Sequence, residues 1–67
     1  MMRANREKLE LALARACMMP GELASAAKMP RSTVNNVITG RNVLPATLGR
    51  VARALTVDVA DIAEVRT

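Results

Sequence analysis

Apolar residues recur along this chain at helical spacing. Leu9, Ala12, Leu13 and Ala16 follow the i, i+3, i+4, i+7 rule of one buried stripe, with Leu11 pointing away from it. The surrounding residues are mostly Ala, Leu, Arg and Glu, all good helix formers, which predicts a first helix over residues 3–16. Pro20 suits the first turn of a second helix, where a missing N–H costs nothing. Leu23, Ala24 and Ala27 supply its apolar face, and Pro30 stops it from continuing past Met29. A third segment, residues 31–39, buries Val34, Val37 and Ile38, and Gly40 then offers the left-handed turn that ends a helix. Pro45 opens a fourth helix in which Leu48, Val51, Ala52 and Leu55 face inward and Arg50 and Arg53 outward. Asp58 reads as the N-cap of a fifth, running from Val59 to about Val65, with Asp61 in its first turn and Val57, Ile62 and Val65 on its apolar side. The expectation is an all-α fold, a compact five-helix domain spanning residues 1–67. Met18, Met19 and Met29, at the helix junctions, read as flexible core filler, and Cys17 as a small buried or half-buried hydrophobe.

The third segment is unusual on its other face. Ser32, Asn35, Asn36 and Thr39 cluster there, flanked by Arg31 and Thr33. Asn, Ser and Thr are mediocre helix formers, so helix stability did not select them. From Pro20 to Gly40 the chain reads PGELASAAKMPRSTVNNVITG: a short helix, a tight turn and a polar-faced second helix. That is the helix-turn-helix pattern, at about residues 20–40, with residues 31–39 as its second helix. Ala24 is small enough to let the two helices approach. The exposed residue types suit the edges of bases in a major groove, where Arg forks to guanine, Asn pairs with adenine, and Ser or Thr adapts.

Composition narrows the alternatives. The chain has 67 residues, no His, Trp, Tyr or Phe, and one Cys. A domain this short buries only about 60% of its unfolded surface, so its stability margin is thin. Lack of His excludes His-based nucleophile activation and acid–base chemistry, and one Cys excludes a disulfide framework and the usual zinc sites. No phosphate-binding glycine motif is present, and without aromatics there is no stacking platform for single strands. The longest unbroken apolar runs are four residues, such as Leu11-Ala12-Leu13-Ala14, too short for a membrane span or a signal-peptide core. These features point to a binding protein rather than an enzyme, with no metal, cofactor or membrane, in a reducing cytoplasmic compartment near the nucleoid.

Charge sharpens the choice of partner. The formal net charge is +4, and no acidic residue lies between Leu23 and Val57, a stretch that holds Lys28, Arg31, Arg41, Arg50 and Arg53. Such a footprint suits a polyanion, and duplex DNA carries about one negative charge per 1.7 Å of axis. Glu7 and Glu10 read as a solvated face shared with Arg6 and Lys8. Arg3 and Arg6 are open between a phosphate-seeking patch and simple solubilising charge.

Taken together, Leu9, Glu22-Leu23-Ala24, Met29, Arg31-Ser32-Thr33-Val34, Val37, Gly40, Thr47-Leu48, Ala52, Ala54-Leu55, Val57 and Ile62 resemble the XRE family, the phage-repressor and Cro type of helix-turn-helix, over about residues 6–63. The resemblance implies a lambda-repressor-like five-helix domain of a prokaryotic or phage transcriptional regulator. It would be a dimer through its C-terminal helix and a repressor on a pseudo-palindromic operator of double-stranded DNA, with its third helix in the major groove. By position, Arg31, Ser32, Asn35 and Asn36 match places that contact bases. Lys28, Thr33, Thr39, Arg41 and Asn42 match places that contact the DNA backbone, which position the protein but do not specify sequence. A helix-turn-helix antitoxin, with a toxin as protein partner, is the alternative.

Four departures from the family pattern carry structural expectations. Pro20 stands where most members have a Gln that braces the first recognition residue, so Arg31 must be held in another way. Lys28 replaces the Gly of the inter-helix turn and must take a positive φ, at about 1 kcal/mol. Pro30 replaces the capping Ser or Thr, which points to a recognition helix that begins late or frays. Leu13 and Ile38 replace a buried Arg–Glu pair. Matched hydrophobes are a tolerated substitute for such a pair, so Leu13 and Ile38 are expected to pack together.

Overall fold

Asn5 sets the start of the first helix, its side-chain oxygen accepting the Lys8 N–H at 3.1 Å. The computed structural model describes residues 2–64, and over them the chain forms α1 (Arg6–Ala16), α2 (Pro20–Ala27), α3 (Arg31–Ile38) and α4 (Pro45–Ala54), followed by a 3-10 turn at Val59–Asp61. The first helix is shorter than its composition predicts. Arg3 and Ala4 lie ahead of the cap in an extended strap, where Met2 and Val43 exchange backbone hydrogen bonds and Ala4 pairs with Ala63.

All four helices end in the same way. Cys17, Lys28, Gly40 and Thr56 each take positive φ, at 53°, 56°, 80° and 56°. In each case the residue's N–H returns to a carbonyl three residues back, and the next N–H to one five residues back. The second bond runs Met18 to Leu13, Met29 to Ala24, Arg41 to Asn36, and Val57 to Ala52, at 3.0–3.1 Å. This is the Schellman termination, which satisfies carbonyls that the helix leaves unpaired. Met18, Met29 and Val57, which follow the left-handed residue, are half-buried and pack on the core. The turn also explains why Cys17 is exposed rather than buried, since its left-handed backbone ends the helix at the surface. Met19, one step beyond Met18, is likewise no core filler but 67% exposed, at the N-cap of α2.

The fifth helix is reduced to a single 3-10 turn. Asp58 caps it by accepting the Ala60 N–H at 3.0 Å, and Asp61 accepts the Asp58 N–H at 3.2 Å in return. The chain does not continue as a helix because its backbone finds partners elsewhere. The Ile62 carbonyl accepts the Asn5 N–H at 2.7 Å, and the Glu64 N–H donates to the Arg3 carbonyl at 2.9 Å. Val65 lies outside the described residues. At the surface of this pairing Arg3 meets Glu64 at 2.8 Å, so Arg3 is tied into the fold rather than left free.

The core is aliphatic throughout. Leu9, Leu23, Leu48, Ile62, Val34, Val37 and Val51 are its largest fully buried side chains, and no polar or charged residue is buried among the described residues. Full burial of each contributes about 1.5–3 kcal/mol. Leu13 is buried in this core and Ile38 is half-buried against it, so the two residues expected to pack together belong to one apolar cluster. Helix α2 packs on both α3 and α4, while the 3-10 turn packs on α1 and α4.

Thr56 is the costliest of the four terminators, being β-branched in a conformation that favours glycine. Thr56→Gly is expected to raise stability by about 1 kcal/mol, read as a higher urea midpoint with an unchanged slope. A lower midpoint would show that the hydroxyl, which donates to the Leu55 carbonyl at 2.6 Å, outweighs the strain.

Candidate nucleic-acid interface

The turn between α2 and α3 determines what α3 presents. Lys28 adopts φ 56°, ψ 50°, the left-handed conformation that its position demands, and the chain reverses within Lys28–Pro30. Leu23 and Ala24 on α2 and Val34 and Val37 on α3 are buried, which fixes the roll of α3 about its axis. The opposite side of α3 is then committed to solvent.

That side carries Arg31, Ser32, Asn35 and Asn36, all exposed. Their spacing of i, i+1, i+4 and i+5 puts them on one helix face. Among the described residues, none of the four side chains hydrogen-bonds to the protein, so their donors and acceptors remain available. Lys28, in the turn entering α3, and Arg41 and Asn42, in the turn leaving it, are also exposed, and Thr33 is half-buried. Thr39 is exposed, but its hydroxyl donates back to the Asn35 and Asn36 carbonyls at 2.8 and 3.2 Å, which anchors the last turn of the helix.

Helix α3 does not begin late. Pro30, at φ −60° and ψ 147°, offers no capping side chain, yet its carbonyl accepts the N–H of Thr33 at 3.0 Å and of Val34 at 3.2 Å, so the helix is regular from Arg31. A proline with its φ already set supplies the entry geometry that a capping hydroxyl usually selects. What is missing is a side-chain acceptor for the first amides. The positive end of α3 therefore stays uncapped beside Arg31.

Electrostatically the middle of the chain behaves as its composition suggests. Lys28, Arg31, Arg41, Arg50 and Arg53 are all exposed, and none has an acidic partner within 4.0 Å among the described residues. Arg50 and Arg53 lie one turn apart on the outer face of α4, beside Ala46 and Gly49. No acid neutralises this stretch, so its field is open to an anionic partner.

Sequence reasoning left the support of Arg31 open, because Pro20 cannot brace it. In the structure its guanidinium lies over Gly21 in the first turn of α2, where an added Cβ would come within 3.3 Å of Nη1. The residue type was the available signal, since glycine in the first turn of a short helix sacrifices helix propensity.

No described helix is long and apolar enough to cross a membrane. Neither a family model nor a curated protein sequence matches the chain. A solved structure does: the crystal structure of the transcriptional regulator VanUg superposes with a TM-score of 0.77 at 32% sequence identity, covering 94% of this chain and 84% of that one.

Because the Thr39 hydroxyl is engaged by the helix it terminates, Thr39→Val should lower stability by about 1 kcal/mol, measured by thermal unfolding. No loss would show that the hydroxyl is free for an external acceptor.

Proposed function

This chain belongs to the family of the transcriptional regulator VanUg, and we propose that it is a sequence-specific double-stranded DNA-binding regulator of the XRE type that acts as a repressor. The observation that carries this reading is the exposed face of α3, where Arg31, Ser32, Asn35 and Asn36 stand together with no internal hydrogen-bond partner among the described residues. In a protein of marginal stability, polar side chains left uncommitted on a helix that gains nothing from them are best explained by an external partner.

In the proposed complex α3 lies in the major groove. Arg31 donates its fork to a guanine edge, Asn35 and Asn36 offer bidentate amides to adenine, and Ser32 adapts to either. Lys28 and Arg41 hold the phosphates on either side of the groove, with Thr33, Thr39 and Asn42 as further backbone contacts. Thr39 takes part through its place at the end of α3, since its proton is committed internally. Two copies would set their recognition helices in successive major grooves, about 34 Å apart, on a pseudo-palindromic operator. With only a 3-10 turn where a fifth helix was expected, the surface proposed for pairing is the groove of about 220 Å³ lined by the exposed Leu11 together with Val57 and Ala60. Regulation is by occupancy of DNA, in the cytoplasm, with no chemical step and no cofactor.

Selection of bound duplexes from a random pool at physiological salt tests this reading. A two-fold-symmetric motif with half-sites one helical turn apart is expected, and no enrichment over input would overturn it. On the selected site, Arg31→Ala or Asn36→Ala should each cost about 1–3 kcal/mol and relax preference at one base pair. Equal losses on selected and random DNA would remove them from base reading. By contrast, Lys28→Ala or Arg41→Ala should weaken all sequences alike and reduce the salt slope by about one. An unchanged slope in titrations across salt would remove them from the phosphate contacts.

A further inference from the structure

Arg31 leads the exposed face of α3, and its guanidinium reaches back toward α2. It lies across to α2, over Gly21, with Nη1 3.3 Å from where a Cβ on that glycine would stand. Gly21 is half-buried inside α2, where alanine is the better helix former, so helix stability does not account for it. Nor does charge hold the guanidinium in place. No carboxylate lies within 4.0 Å of Arg31 among the described residues, although Glu22 is the next residue of α2; its carboxylate instead accepts the Met19 N–H at 3.0 Å. The positive end of the α2 dipole does not attract a cation either. What the guanidinium uses is the room left by the missing Cβ, and all its donors remain unspent.

Resting on the proposal that α3 reads bases, we propose that Gly21 is a positioning residue for that reading: the space left by its missing Cβ is the seat beside which the Arg31 guanidinium lies, and it sets where the fork is presented. A long flexible side chain loses rotamer freedom when it engages a base. A seat on a rigid helix removes part of that loss before DNA arrives, and no ion pair has to be broken on engagement. The seat also substitutes for the brace that Pro20 cannot provide. A methyl group at residue 21 makes the fork give way by a few tenths of an ångström, and two parallel hydrogen bonds to one base edge are the contact most sensitive to such a shift.

The test is Gly21→Ala, whose effect on the fold and effect on reading run in different directions. Its melting temperature should be unchanged or higher. Preference at the base pair assigned to Arg31 by the Arg31→Ala variant should fall about three- to tenfold, with preferences elsewhere in the site retained. In the Arg31→Ala background the same substitution should change nothing further. An unaltered preference, or an equal change in both backgrounds, would overturn the proposal. If the parent chain selects no sequence at all, base reading by α3 fails, and the seat is then judged in the free protein. There the Arg31 Nε–H signal should shift and broaden in Gly21→Ala, and an unchanged signal overturns it.

Discussion

The left-handed turn at Lys28 is the constraint on which the rest depends. Between Ala27 and Arg31 the chain must reverse in three residues, and only a residue at positive φ lets the α2 carbonyls be satisfied while α3 starts at once. Once that turn is made, the packing of Val34 and Val37 against Leu23 and Ala24 has one solution. The side chains at Arg31, Ser32, Asn35 and Asn36 then have nowhere to go but outward. Lysine in this conformation costs about 1 kcal/mol relative to glycine, a notable sum for so small a domain, and it sets a positive charge at the entrance to α3.

The same terminator is used at all four helix ends, with glycine only at Gly40. At three of the four ends the left-handed residue turns the following one inward, so Met18, Met29 and Val57 pack on the core while Cys17, Lys28 and Thr56 stay at the surface; after Gly40 it is Arg41 that follows, and it stays exposed. A domain without a single aromatic side chain closes its core through such repeated local geometry, together with fully buried Leu, Ile and Val. The strap formed by Met2–Asn5 completes the closure. It bridges Val43, in the loop after α3, to Ala63 at the other end of the fold. The loop that follows α3 is thereby tied to both ends of the described chain.

Functional and structural demands separate cleanly on α3. Its buried face is valine, which packs, and its exposed face is polar, with Thr39 at its end as the one side chain of that face that hydrogen-bonds to the protein among the described residues. Basic residues in the acid-free middle of the chain remain unpaired, whereas the ion pair of Arg3 and Glu64 serves the closure of the strap. Charge that stabilises the fold and charge that is open to a partner are thus carried by different parts of the molecule.

The sequence by itself determined the helices with strong apolar spacing, the inward faces of α1 to α4 and the outward cluster on α3, whereas the positive φ at Lys28 was expected only from the family pattern that its position matches. The helices, faces and cluster follow from period, proline and glycine placement or charge, which are local properties. Tertiary structure decided the rest. Whether Asp58 began a helix or a single turn depended on the Arg3–Asn5 backbone competing for the hydrogen bonds of Ile62 and Glu64, a partner about sixty residues away in sequence. Cys17 and Thr56 are residues that rarely take a left-handed conformation, so only the helix ends around them reveal it. The placing of the Arg31 guanidinium beside Gly21 relates two helices across a turn, and no periodicity within either helix encodes it. Local pattern states which face a helix buries; what lies opposite its exposed groups exists only once the chain has closed on itself.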